Sequence, residues 1–157
     1  MTDFLSPADR SDRMSRIRGK DTKPEIALRK ALHALGLRYR LHGAGLPGKP
    51  DLVFPRYKTV VFVHGCFWHR HAGCNIATTP KSNTEFWQEK FKKNVERDAR
   101  VVTQLQMLGW RVITVWECEL ASISKSQATA KSVHANIVAA DQPQRRARNN
   151  LERQWPR

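Results

Sequence analysis

The stretch VVFVHGCFWHRHAGC (residues 60–74) holds two of the chain's three cysteines, three of its six histidines and one of its five tryptophans. Its first half is a β-branched apolar run, the pattern of a buried strand. At Gly65 the run breaks into Cys, Phe, Trp, His, Arg and His, an order that core packing does not require. This segment therefore joins a central strand to a chemically dense loop, and the remaining elements are read outward from it.

Upstream, Asp51-Leu52-Val53-Phe54 reads as a short strand, with Pro55–Lys58 as the turn into 59–64. Neighbouring strands of this kind pair as a hairpin and bring Asp51 beside residues 63–64. Leu37, Tyr39 and Leu41 alternate with arginines, the mark of a half-buried strand. Before them, Thr22-Lys23-Pro24-Glu25 reads as a helix start with a capping box, and Gly36 as its stop. Downstream, Ser82-Asn83-Thr84-Glu85 reads as another capping box. It opens a long helix over 84–108, with Phe91, Val95, Val102, Leu105 and Leu108 inward and a basic outer face. A fourth strand at 111–116 and a helix over 122–140 complete the pattern. The expected fold is α/β, a mixed central sheet flanked by helices in one domain over 21–140.

The chain carries 28 basic against 14 acidic residues, a net charge of +14 with a sequence pI near 10.5. The basic tail 141–157, expected to be poorly ordered, holds only a small part of that excess, so the domain itself is basic and nucleic acid is the expected partner. Residues 1–20 read as a basic arm without a strong helix. A short helix there would set Met14 and Ile17 on one face as two apolar teeth for a DNA groove. No apolar run reaches the roughly 18–20 residues of a membrane span, and the N-terminus is too polar for a signal peptide. A cytoplasmic location is the expectation, where clustered cysteines favour metal over disulfide.

Cys66, His71 and Cys74 have C-x4-H-x2-C spacing, and Cys118 ends the fourth strand. If strands 59–64 and 111–116 are neighbours, four N/S ligands close a tetrahedral, structural zinc site. His69 is the alternative histidine ligand, and isolated buried thiols are the alternative to metal. Asp51 at a strand start supplies the oxygen chemistry that Mg²⁺ prefers. His64 can shuttle a proton or stabilise charge, His69 can do the same, and Glu25 can orient a water at the metal. Against this, Glu25 can simply close its capping box, and either histidine can be an ordinary surface residue.

Five segments, MSRIRGKDTKPE (14–25), LPGKPDLVF (46–54), VVFVHGCFWHRH (60–71), TEFWQEKFKKNVERD (84–98) and LGWRVITVWEC (108–118), together resemble the very short patch repair (Vsr) mismatch endonucleases of bacteria. The resemblance spans roughly residues 10–120. It implies a restriction-endonuclease-like fold and zinc on Cys66, His71, Cys74 and Cys118. It also implies Mg²⁺-dependent nicking of duplex DNA 5′ of the thymine of a T·G mismatch left by deaminated 5-methylcytosine. By the same resemblance Asp51 matches the metal-binding aspartate, and His64, His69 and Glu25 match residues that assist water and phosphate. Phe67, Trp68 and Trp87 match aromatics that wedge into the base stack, and Met14 and Ile17 match an arm in the minor groove. Two departures stand out. Val63 replaces a hydroxyl residue, leaving its backbone carbonyl as the only metal ligand there. One residue more than the family pattern precedes Cys74. A zinc-stabilised DNA-binding module without catalysis and a restriction-type double-strand endonuclease are the competing functions, the latter normally needing a dimer. A monomer is expected.

Overall fold

The computed structural model describes residues 6–17 and 19–141. The tail expected over 141–157 lies, apart from Asp141, outside the described residues. Helix α1 (Pro7–Ser15) is followed by α2 (Lys23–Ala34), β1 (Arg40–Leu41), β2 (Leu52–Phe54), β3 (Thr59–His64), α3 (Thr84–Met107), β4 (Arg111–Trp116) and α4 (Ile123–Ala139). Short 3-10 turns at Pro55–Tyr57 and Glu117–Leu120 link β2 to β3 and β4 to α4.

The four strands form one mixed sheet in the order β1-β2-β3-β4. β1–β2 and β2–β3 are antiparallel, and β3–β4 is parallel, with Thr59 opposite Arg111 and His64 opposite Trp116. That last register brings the C-terminal ends of both long strands to one sheet edge. Period-two alternation along β3 splits the core into two layers. Val61 joins Leu28, Leu32, Phe54, Val115, Val133 and Ile137 under α2 and α4. Val60 and Phe62 join Val53 and Leu105 under α3. The result is the expected mixed sheet flanked by helices.

Several local expectations are corrected. The strand around 37–41 contracts to Arg40–Leu41, and Leu41 is 43% exposed. Leu37 is buried, but Tyr39 turns its hydroxyl to the Arg29 carbonyl at 3.0 Å, tying this segment to α2. Thr22 does not cap α2 with its side chain; its hydroxyl donates to Glu25 Oε1 at 3.0 Å. Asn83 precedes α3 in a left-handed conformation without a side-chain cap, and the Thr84 hydroxyl donates back to the Lys81 carbonyl. Val95 and Leu108 are 44% and 58% exposed. The inward stripe of α3 is Trp87, Phe91, Asn94, Asp98, Val101 and Leu105 at alternating three- and four-residue steps, so Val95 falls off it. Leu108 lies beyond the last helical residue, Met107. Finally, the amino-terminal segment does form a helix. The Ser6 hydroxyl accepts the Asp9 N–H at 3.1 Å and Pro7 takes the first turn. Because α1 stops at Ser15, Met14 is half-buried while Ile17 lies past the helix and is 53% exposed, so the two do not share a helical face.

Candidate active site and metal centre

Asp51 precedes β2, and the antiparallel pairing with β3 turns its carboxylate to the Val63 N–H, which donates to Oδ2 at 2.7 Å. Burial pushes the Asp51 carboxyl up to about 6, the Val63 hydrogen bond pulls the other way, and the charge of Glu25 pushes up again. Glu25, only 6% exposed in the first turn of α2, accepts the Asp21 N–H at 2.8 Å and the Thr22 hydroxyl. Its capping role and its place beside Asp51 are therefore compatible. A buried carboxylate pair with so few donors has the electrostatics of a site that awaits a cation.

His64 closes β3. Its ring stacks on His69 at 3.9 Å with 8° between the planes, and meets the edge of Trp116 at 5.5 Å. Burial lowers His64 to about 4, so it is neutral at neutral pH. His69 Nδ1 lies 2.5 Å from Asp98 Oδ2 on α3. With Asp98 ionised, the proton belongs on Nδ1, and Nε2 is left with its lone pair. His64, His69 and Asp98 come close enough to suggest a metal cluster. However, imidazole lone pairs lie in the ring plane, and two stacked rings cannot converge theirs on one ion. The arrangement is that of an oriented base.

Glu25, Asp51, Val63, His64 and His69 line one cleft of about 560 Å³, together with Asp98. Gly19 lines it too, so the segment leading out of the amino-terminal arm reaches the site. Sequence reasoning gave Asp98 no role, because a carboxylate in a charged helix reads as solvated. The usable signal was its position: Asp98 falls in the apolar stripe of α3, where a solvated charge does not belong.

Beyond β3 and β4, Cys66, His71, Cys74 and Cys118 come together, with one ligand atom from each within 4.8 Å of the others. His71 Nδ1 lies 3.6 Å from Cys66 Sγ and 3.4 Å from Cys118 Sγ. Ideal tetrahedral zinc places such N and S atoms about 3.6 Å apart, given Zn–N near 2.05 Å and Zn–S near 2.3 Å. The group thus fits a tetrahedral ion. His71 is the histidine near the thiols, while His69 faces Asp98. His71 also stacks on Trp116 at 4.3 Å. The parallel register of β3 and β4 supplies the distant ligand, and Glu117 locks the junction by accepting the Cys66 N–H at 2.8 Å. Burial pushes the Cys66 thiol up to about 12, so its thiolate needs a cation beside it; a hydrogen bond from the Ile76 backbone brings Cys74 down to about 7. Gly73, just before Cys74, turns the chain in the left-handed region at φ +69°. Arg70 was overlooked: it donates to the carbonyls of Ala77 and Thr78 at 3.0 and 2.9 Å and lies 4.1 Å over the Phe91 ring, pinning the loop.

Phe67 and Trp68, half-buried, meet edge to face at 5.1 Å and pack against Trp87 and Phe91. Trp87 is only 6% exposed within this cluster, whereas Phe86 is 59% exposed. Lys90 lies 5.3 Å over the Trp68 ring. Phe67 and Trp68 share with His69 the loop that follows β3.

A buried carboxylate pair and an aspartate-held histidine line one cleft, a combination whose chemistry suits hydrolysis. The profile of the DNA mismatch endonuclease Vsr family matches residues 2–75. A type II nicking enzyme of Xanthomonas oryzae is 47% identical over 85% of this chain and 97% of its own length. A type II nicking enzyme of Neisseria meningitidis is 52% identical over 76% of this chain and 85% of its own. The DNA mismatch endonuclease Vsr of Escherichia coli is 48% identical over 80% of each. The chain belongs to the Vsr family of DNA mismatch endonucleases, and it is a DNA endonuclease.

Proposed function

We propose that the protein nicks one strand of duplex DNA at a T·G mismatch, 5′ of the mismatched thymine, and so starts repair of deaminated 5-methylcytosine. The observation that carries this reading is the single cleft in which Asp51, Glu25, His64 and His69 converge, with Phe67 and Trp68 on the same loop as His69. In our reading the chain folds as a restriction-endonuclease-like domain over 21–140, acts as a monomer, and works in the cytoplasm. Among the described residues, no helix is long and apolar enough to cross a membrane.

The donor set in the cleft is oxygen-rich, which suits Mg²⁺: Asp51 and the Val63 carbonyl would hold it, with Glu25 behind them. When bound, Mg²⁺ supplies positive charge for a phosphate oxygen. His69, kept in one tautomer by Asp98, takes one proton of the attacking water at Nε2 as the water oxygen bonds to phosphorus and the P–O bond opposite breaks, the departing strand oxygen gaining a proton from solvent. His64, neutral, supports the His69 ring from its face. Cys66, His71, Cys74 and Cys118 would hold Zn²⁺ with no open coordination position, so that ion would serve structure rather than chemistry by fixing the loop that carries His69, Phe67 and Trp68.

Recognition rests on weak stacking. A mismatch lowers the cost of unstacking, so aromatic wedges gain there relative to paired DNA. Phe67 and Trp68 are half-buried against Trp87, which is more deeply buried, and it is this unit that we assign to the duplex. Met14 and Ile17 on the arm take the adjoining groove. The test is a duplex with one T·G pair, incubated with Mg²⁺, with Ca²⁺ and with EDTA. Nicking confined to the Mg²⁺ reaction supports the reading; equal nicking in EDTA, or binding without product, contradicts it.

A further inference from the structure

The cleft presents three carboxylates, Glu25, Asp51 and Asp98, to a substrate that is itself anionic. A single divalent ion offsets only part of that charge, and attack on a phosphodiester adds more. Among the described residues, the permanent cations lining the cleft are Lys49 and Arg97. We propose that Arg97 and Lys49 together grip the scissile phosphate and stabilise the charge that grows on it as water attacks. The proposal rests on the nicking reading above and assigns two further catalytic residues to it.

Both side chains are placed for this. Arg97 precedes Asp98 on α3 and is 54% exposed, with one Nη atom 3.7 Å from Asp98 Oδ1. That contact steadies the guanidinium while leaving most of its planar fork free to bind two phosphate oxygens. Lys49 sits in the loop that delivers Asp51, and its backbone is left-handed at φ +48° although it is not glycine. The residues around it are fixed. Gly48 packs so tightly on α3 that a Cβ there would meet Val101 Cγ1 at 2.4 Å, and Pro50 is fully buried. An exposed lysine held in a strained conformation between two pinned neighbours is costly for folding alone, and such strain collects at functional positions. Two cations reaching one cleft from different elements also suit a phosphate whose charge spreads over several oxygens.

The experiment measures single-turnover nicking of the mismatched duplex and, in EDTA, affinity for the same duplex. Arg97→Gln and Lys49→Gly are each expected to slow nicking roughly 10²–10³-fold, as loss of one oxyanion donor does. Affinity is expected to change by less than about tenfold, and the salt dependence of binding to lose about one phosphate contact. Lys49→Gly relieves the left-handed strain, so its melting temperature should hold or rise while activity falls, a split that a structural role would not produce. The charge-keeping variants Arg97→Lys and Lys49→Arg should recover much of the rate. Nicking within about threefold of wild type for both neutral variants overturns the proposal. So does an equal loss of rate and affinity, which would mark simple ground-state binding, or a failure of both charge-keeping variants to recover. Wild-type protein, assayed alongside, separates the two levels: if it fails to nick, the nicking reading falls and takes the clamp with it.

Discussion

Asp51 pairs its carboxylate with the Val63 N–H yet remains held up at about 6 by burial and by Glu25. Between its ordinary value of 3.8 and about 6 the folded protein binds more protons than the unfolded chain, so stability falls as pH rises through that window. In metal-free protein, Asp51→Asn should therefore raise stability at pH 8 by on the order of 1–3 kcal/mol, with the gain vanishing near pH 4; with Mg²⁺ present the same change should abolish nicking. Urea midpoints at the two pH values check the sign; an unchanged midpoint at pH 8 would contradict it. His69 depends on Asp98 in a different way. Asp98→Asn leaves a hydrogen-bonding group at 2.5 Å but can donate to Nδ1, which favours the wrong tautomer. A loss of roughly 10²–10⁴-fold in rate with affinity intact is expected from single-turnover kinetics.

At the scale of elements, the site depends on how β3 and β4 end and on what clamps the loops beyond them. Cys118 reaches Cys66 and His71 only because the two strands run parallel in register. Cys118→Ser should release one bound metal per chain and lower the melting temperature, as read by metal analysis and thermal unfolding; full metal content with normal melting would disprove the ligand set. Gly48→Ala probes the loop that carries Lys49 and Asp51. Its Cβ would lie 2.4 Å from Val101 Cγ1 at a φ of +69°, so a cost of about 1–3 kcal/mol is expected in chemical denaturation. The cysteine–histidine quartet was legible in the sequence because thiols are rare and their spacing is short. The β2–β3 hairpin was legible from its apolar runs. Asp98 and Arg97 were not, since charges on a helix reveal a partner only after the helix is placed. The length of the edge strand and the caps of α2 and α3 were also missed. Other nearby partners won there: Tyr39 reaches the Arg29 carbonyl, Glu25 accepts the Asp21 N–H, and the Thr84 hydroxyl turns back to Lys81.

Across the whole molecule, three chemistries meet at one sheet edge without sharing side chains. The cleft holds carboxylates and the oriented histidine, the Cys/His group anchors the loop, and the rings of Phe67 and Trp68 stand between them in sequence. A net charge of +14 favours binding to duplex DNA without choosing among sequences. In the proposed reading, selectivity arises where stacking is weakest. The most direct measurement uses two duplexes of identical sequence, one matched and one with a single T·G pair, each end-labelled on either strand, with wild-type protein and Mg²⁺. The account predicts one product, cut 5′ of the mismatched thymine in the thymine strand alone. Equal cutting of the matched duplex, or cleavage of both strands, would contradict it.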